Sequence, residues 1–520
     1  MNRSYDADLP LWARLFRLPE QPGLPIQVRL RAVITQAILD GRLPAGAALP
    51  SSRDLAQALS LSRNTVTAAY EQLVEEGFLE ARPRRGVFVA ANACAPRADV
   101  EAALEEDPFR SGRAGSGQRP PEWRRRVLRS QAERPTLAKP EDWHRYPYQF
   151  IYGTYDPELF PTDDFRECCL RSLGRVQLPN WTPDFEQVDV QELVAQIRQR
   201  LLPQRGVYAL ADEILVTIGS QHACYLLAEA LFDRHTRVGF EEPGHPHARN
   251  SFSVRGPQMV NLPVDDEGLV VDGMPEVDYV FVTPSHQSPT TRTLSLERRQ
   301  WLLRKAELHD FVVIEDDYEA ENLYAGTPMP ALKSLDTSGR VIYIGSLSKS
   351  LSPALRLGYI VAPRELIAEL RVLRHAQVRH PSAFLQHAYA LFLSLGHHGS
   401  HARRVNQIMQ ERLMRVSAAL TQHLPDFRFT LPQGGASVWV EGPDWLDSGE
   451  LADVARAHGV LIEAGRAFYD QPPYPCPSFR LRLSSISGAQ IEDGIRALAL
   501  AVGALAAARG VSRTGAPFMH

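Results

Sequence analysis

Five short runs rich in β-branched and aromatic residues recur between residues 213 and 346: EILVTIG (213–219), RVGFEE (237–242), DYVFVTP (278–284), FVVIEDD (311–317) and VIYIGS (341–346). Amphipathic segments lie between them. Strands alternating with helices over several hundred residues predict an α/β domain built on a mostly parallel sheet. This texture spans residues 148–508, with 509–520 as a tail. Residues 15–92 are instead rich in helical periodicity. Residues 93–147 are Pro, Gly, Ser and charge with few aromatics. That composition cannot bury enough apolar surface to offset its ordering entropy, so the stretch reads as a flexible linker.

Composition narrows the class. The chain has 520 residues, 44% apolar and 23% charged, the proportions of an ordinary soluble globular protein. A net charge of −4 supplies no global basic field, so any nucleic-acid contact must come from a local patch. No apolar run is long enough to cross a bilayer. Asp6 and Asp8 stand where a signal peptide would have its apolar core. Five cysteines with no C-x-x-C pair argue for reduced thiols rather than a disulfide frame or a zinc site. The expectation is a cytoplasmic protein with no metal and no membrane contact.

The N-terminal region reads as a small helical module with a β appendage. Residues 26–40 carry apolar residues at helical spacing and stop at Gly41, which predicts a first helix. Ser51, with Asp54 three residues on, resembles a capping box opening a helix through Leu59. Ser62 can cap the next helix, from Arg63 to about Glu75, ended by Gly77. Two helices joined by a tight turn form a helix-turn-helix, whose second helix would offer Arg63, Asn64 and Thr65 to a major groove. FLEA and GVFV flank RPRRG as a hairpin wing tipped by Arg82, Arg84 and Arg85. Residues 25–90 hold eight Arg and six acids. With Arg53, those arginines suit phosphates and guanine edges.

The second region holds a lysine in an unusual setting, within GSLSKSLSPALRLGY (345–359) at a strand exit. A lysine there is ordinarily a solvated loop cation. Four features argue otherwise. FVVIEDDY ends an apolar run in Glu315, Asp316, Asp317 and Tyr318, a costly cluster unless something positive meets it. ILVTIGSQHACYLLAEALF (214–232) is a strand, a Gly-Ser-Gln turn and a helix, a place for an anion. Arg356 follows Lys349 by seven residues and suits a phosphate. SFRLRLSS (478–485) sets two more arginines among apolar residues. Together the parts suit pyridoxal 5′-phosphate, which needs a lysine amine, a carboxylate for its ring nitrogen and a cradle for its phosphate. Neither G-x-G-x-x-G nor G-x-x-x-x-G-K-[ST] is present to suggest a dinucleotide or a P-loop.

The stretch 49–89, with LPSSRDLA, SRNTV and EEGFL…RRGVFV, closely resembles the GntR-type winged helix. Residues 148–508 resemble the fold-type I, aspartate aminotransferase-like proteins that use pyridoxal phosphate. ELFP, VTIGSQHA, EEPGHPHAR, VTPSHQSPT, IEDDYEAE, SLSKSLSPALRLGYIVAP and LRLS carry that likeness. The combination resembles the MocR/GabR-type bacterial regulators. The resemblance implies that Lys349 forms the Schiff base, Asp316 meets the pyridine nitrogen and Tyr318 the phenolic oxygen. Ser220, Gln221, Ser346, Ser348 and Arg356 would cradle the phosphate, and His245 and His286 would contact the ring. Arg482, preferred to Arg480, would grip a ligand's α-carboxylate. Taken singly, Asp317, Tyr318, Ser346 and His286 each have ordinary structural readings.

Three positions depart from the family pattern. His245 replaces a stacking tyrosine, Thr291 replaces a turn glycine, and Asp189 replaces another glycine in a segment where Phe185 lies near a missing tyrosine. The implied function is a homodimeric transcription regulator, with a domain-swapped head-to-tail pairing as one form. It would bind operator double-stranded DNA in the bacterial nucleoid and sense an amino-group ligand or pyridoxal phosphate itself, without efficient turnover. The alternative expectation is a working aminotransferase that carries a DNA-binding arm.

Overall fold

In a computed structural model, the structure describes residues 12, 15–16, 18, 24–83, 85–91, 93, 123–127, 134, 136–137, 139–184, 188–324 and 329–511. The chain divides into two compact units, residues 1–129 and 130–520.

In the first unit, α1 (Ile26–Leu39), α2 (Ser52–Leu59) and α3 (Arg63–Glu75) precede β1 (Leu79–Arg82) and β2 (Gly86–Val89). Local sequence sets the helix starts. Ser51 Oγ accepts the Asp54 N–H at 3.2 Å and Ser62 Oγ accepts the Thr65 N–H at 3.1 Å, each satisfying a donor the helix leaves open. Leu30, Ile34, Leu55, Val66, Leu73 and Val89 meet in one buried core. The Tyr70 hydroxyl donates to the Pro50 carbonyl at 3.0 Å and fixes α3 against the segment before α2. β1 and β2 pair antiparallel from Leu79↔Val89 to Arg82↔Gly86, forming the expected wing.

The second unit is built on an eight-stranded sheet. Its strands are β3 (Ile214–Thr217), β4 (Arg237–Glu242), β5 (Gln258–Asp265), β6 (Gly268–Leu269), β7 (Tyr279–Val282), β8 (Val312–Asp317), β9 (Val341–Ser346) and β10 (Gly358–Val361). Their spatial order is β3-β10-β9-β8-β7-β4-β5-β6. The run β9-β8-β7-β4-β5 is parallel, while β10 runs antiparallel to both its neighbours. All five apolar runs singled out in the sequence are strands of this sheet. They read as continuous apolar stretches because both faces are covered. A smaller sheet of β11 (Arg428–Phe429), β12 (Ser437–Glu441), β13 (Glu463–Ala464) and β14 (Ser478–Arg482), in the order β11-β12-β14-β13, follows in the chain.

Part of the stretch read as linker folds with this unit. Lys139 lies 4.0 Å over the Trp143 ring, and the Gln149 amide donates to the Trp143 and Tyr146 carbonyls. The strand Tyr148–Gln149 then pairs parallel with Val460–Leu461. The Trp143 and Tyr146 carbonyls, through Gln149, tie the end of this stretch to the strand that follows.

Candidate cofactor site and nucleic-acid interface

The three consecutive carboxylates at the end of β8 are all buried, and strand alternation sends them to different partners. Glu315 accepts the Leu332 and Lys333 N–H groups at 2.7 and 2.8 Å. Asp317 takes the Arg205 Nε at 2.7 Å and the Tyr343 hydroxyl at 2.9 Å. It is therefore a buried ion-pair partner. Burial opposes its ionisation, but the Arg205 guanidinium holds the Asp317 carboxyl below the usual range. Asp316 points to the opposite face. Its Oδ1, like that of Asp317, is buried without a partner, but burial pushes the Asp316 carboxyl up to about 7 although Lys349 pulls the other way.

Asp316 faces a cleft whose walls include Tyr152, Ser220, Gln221, His245, Ser346, Lys349 and Arg356. Lys349 lies on the short helix Ser348–Leu351, directly after β9. Its ammonium sits 4.5 Å over the Tyr152 ring and 5.5 Å over that of Tyr318. Burial depresses the Lys349 pKa, while the neighbouring Tyr152 opposes that shift and Arg482 adds to it. An amine depressed in this way is the better nucleophile at neutral pH.

One end of the cleft is shaped for an anion. Helix α4 (Gly219–Leu231) starts with no side-chain cap, so its first N–H groups and the positive end of its dipole are open. Arg356 has φ +52°, a left-handed backbone that an arginine adopts at a cost. Its guanidinium donates to the Ile218 carbonyl at 3.2 Å. Gly219 has φ +75°, and a Cβ there would stand 3.1 Å from that guanidinium. Glycine is thus what lets arginine and helix terminus share one corner.

The expected residues divide by what their polar atoms already do. Ser220, Gln221, His245, Asp316, Tyr318, Ser346, Ser348, Lys349 and Arg356 all line the cleft. The Ser348 hydroxyl, however, donates to the Leu357 carbonyl at 2.9 Å and accepts the Leu357 N–H at 2.7 Å, so it staples the lysine segment in place. The Tyr318 hydroxyl donates to the His286 carbonyl at 2.9 Å. His286 lines an adjoining cavity of about 250 Å³ that shares Tyr318, Ser346 and Lys349 with the cleft. His245 has a buried Nδ1 with no partner. Burial, then His247 and Lys349, hold its imidazole well below the ordinary value, so the ring is neutral. Arg482 is buried and donates to Glu319 Oε1 at 2.6 Å.

Several contributors escaped the sequence reading. Tyr152 precedes the ELFP motif and carries no pattern of its own. The Tyr152 phenol is lowered by Lys349 beside it, against burial. Glu463 accepts both the Tyr152 N–H at 3.0 Å and the Arg480 Nε at 2.7 Å, joining two segments 311 residues apart. Asp189, read as an eroded glycine, is a buried clamp. Its carboxylate takes the Val216 N–H at 3.2 Å, Arg371 at 3.0 Å and Arg374 at 2.5 Å. Thr291 keeps the turn of the glycine it replaces, at φ +63°, with its N–H on the Gln287 carbonyl at 2.7 Å. Phe185 lies outside the described residues.

The residues present fit pyridoxal phosphate on the structure's own terms. A buried carboxylate oxygen lacks a donor, an amine stands in the same cleft, and an uncapped helix terminus beside an arginine forms the anion corner. Among the described residues no cluster of His, Cys, Asp and Glu could hold a metal ion, and no helix is long and apolar enough to cross a membrane.

On the first unit, Arg53, Arg63, Asn64 and Arg85 are exposed and Thr65 is half-buried. Thr65 Oγ1 lies 2.7 Å from Ser62 Oγ, so its hydroxyl serves the cap. Arg82 pairs with Glu80 and lies 4.5 Å over the Phe88 ring, which ties it to the wing itself. Arg84 lies outside the described residues.

These features define a winged helix-turn-helix joined to a fold-type I, aminotransferase-like α/β unit. Residues 26–89 match the gntR family of bacterial regulatory proteins, and residues 179–498 match aminotransferase class I and II. The chain is 40% identical to the HTH-type transcriptional regulator TauR of Rhodobacter capsulatus, over 92% of this chain and 96% of that one. It is 32% identical to the probable rhizopine catabolism regulatory protein MocR of Rhizobium meliloti, over 90% and 89%. Among solved structures, LysN, the α-aminoadipate aminotransferase of Thermus thermophilus, superposes with a TM-score of 0.64 at 28% identity, covering 69% of this chain and 93% of that one. The chain belongs to the GntR-family transcriptional regulators of MocR/GabR type, in which a winged helix is fused to an aminotransferase-like domain.

Proposed function

We propose that the protein is a cytoplasmic, homodimeric regulator that binds pyridoxal 5′-phosphate at Lys349 and reports an amino-group ligand, or the cofactor itself, to operator DNA. The observation that carries the reading is the unpartnered Asp316 oxygen in the cleft that holds the Lys349 amine. When bound, the cofactor supplies an aldehyde that condenses with primary amines and a ring that draws electrons once its nitrogen is protonated. Lys349 supplies the resident amine, and its depressed pKa favours the neutral, nucleophilic form. Asp316 holds a proton donor on the ring side of the cleft. Ser220, Gln221, Ser346 and Arg356 bind phosphate at the α4 terminus. His245, neutral, offers a flat face without adding charge. Tyr318, its hydroxyl on the His286 carbonyl, is kept protonated by burial.

The α3 terminus, with Arg63 and Asn64, reads bases, while Arg53 and Arg85 meet phosphates. A ligand shifts DNA affinity only as far as it prefers one arrangement of the protein over the other. Catalytic turnover is not part of this function, a reading supported by the engagement of Arg482 with Glu319.

Reconstituted protein should be yellow and bind DNA from its own upstream region, with a shift that an amine or the cofactor alters. Lys349→Ala should lose the colour and keep the shift. Arg63→Ala should lose the shift and keep the colour. A colourless wild type sinks the cofactor reading. Sustained multiple turnover of an amino acid and keto acid pair would favour an enzyme.

A further inference from the structure

Three of the arginines near Lys349, Arg205, Arg480 and Arg482, are already matched with carboxylates of the chain itself. All three nitrogens of the Arg482 guanidinium are engaged, Nη2 on Glu319 at 2.6 Å, Nη1 on Ser437 Oγ at 3.1 Å and Nε on Ser484 Oγ at 3.2 Å. Glu319 is just as firmly seated. Its second oxygen accepts the Ala436 N–H at 3.0 Å, and its side chain is 2% exposed. Arg480 is bound by Glu463 at 2.7 Å and packs over the Phe468 ring at 4.6 Å. Arg205 belongs to Asp317. Arg356, bound to a carbonyl rather than a carboxylate, stands at the anion corner.

With a phosphate held at Arg356, an amino acid entering this cleft would bring a carboxylate with no unengaged guanidinium to receive it. Reaching Arg482 would mean expelling Glu319 from a buried seat and leaving a charge without its partner, which a protein interior resists strongly. An amine without that carboxylate meets no such obstacle. Its nitrogen needs only the position that Lys349 occupies.

We propose that the effector is a primary amine with no carboxylate on its amino-bearing carbon, Glu319 being an internal occupant of the carboxylate seat on Arg482. This rests on the proposed function and deepens it. It also changes the expectation for Arg482: the residue positions Glu319 and the strand end rather than gripping ligand.

The test compares propylamine with L-2-aminobutyrate, the same amine bearing an α-carboxylate. Full-length protein loaded with pyridoxal phosphate is titrated with each, and binding is read by absorbance change and by calorimetry. Propylamine should bind at least about 100-fold more tightly, the size expected when the competing ligand must break a buried ion pair. Glu319→Gln, which frees Arg482 while keeping the shape of the side chain, should bring the amino acid to within about 10-fold of the amine or ahead of it. The wild-type ratio stands without the variant should E319Q not fold. Equal or tighter wild-type binding of the amino acid overturns the inference, as does an unchanged ratio in folded E319Q. A wild type that takes up no cofactor overturns this inference together with the proposed function. A loaded wild type that prefers the amino acid overturns this one alone.

Discussion

At the scale of single residues, the sequence placed Lys349 and Asp316 in one candidate site because each is a charged group at the end of an apolar run, and the structure brings both into one cleft. Tyr152, Glu463 and Glu319 were not legible. Their roles lie in contacts between segments 311 and 163 residues apart, and no local pattern marks such pairs. The clamp at Asp189 was not legible for the same reason, because its arginines come from a helix more than 180 residues downstream. Asp316 supports a prediction at this scale. Burial raises its carboxyl from 3.8 to about 7, so the folded chain keeps a proton that the unfolded chain releases above about 4. The stability of neutral Asp316 is therefore present below about pH 4 and lost as pH rises towards 7. In cofactor-free protein, Asp316→Asn should gain on the wild type by up to about 1.4 kcal/mol per pH unit across that window, measured from urea midpoints. A difference that stays flat with pH would show that the carboxylate is solvated.

At the scale of elements, the start of each helix in the first unit was readable because caps are local. Ser51 and Ser62 lie within three residues of the N–H groups they accept. The large sheet was equally readable, since strands covered on both faces leave long apolar runs. The smaller sheet was not, because β11 and β13 have only two residues each, too few to show alternation. The Ser62 cap starts α3, so its loss should be felt locally. Ser62→Ala should cost about 1 kcal/mol and speed hydrogen exchange of the first-turn amides of α3 about five-fold. Exchange in β8 and β9, which belong to the other unit, should be unchanged. Unaltered α3 protection would mean that packing through Val66 and Tyr70, not the cap, holds the terminus.

At the scale of the whole molecule, charge separates the two tasks. Residues 25–90 carry eight arginines and six acids in a chain whose net charge is −4, so the attraction to DNA is confined to one unit. The cleft instead balances buried arginines against buried carboxylates. Any communication between them must then be a coupling free energy, which is reciprocal. If an amine changes operator affinity by some factor, operator DNA must change amine affinity by the same factor. The two numbers come from separate measurements, a DNA titration with and without saturating amine and a calorimetric amine titration with and without DNA. Raising salt should weaken both DNA titrations steeply through counterion release, yet leave the coupling factor far less affected, because the groups around Lys349 are shielded from solvent ions. Unequal factors at one salt concentration would mean that the amine acts on DNA binding through a site other than the cleft that binds it.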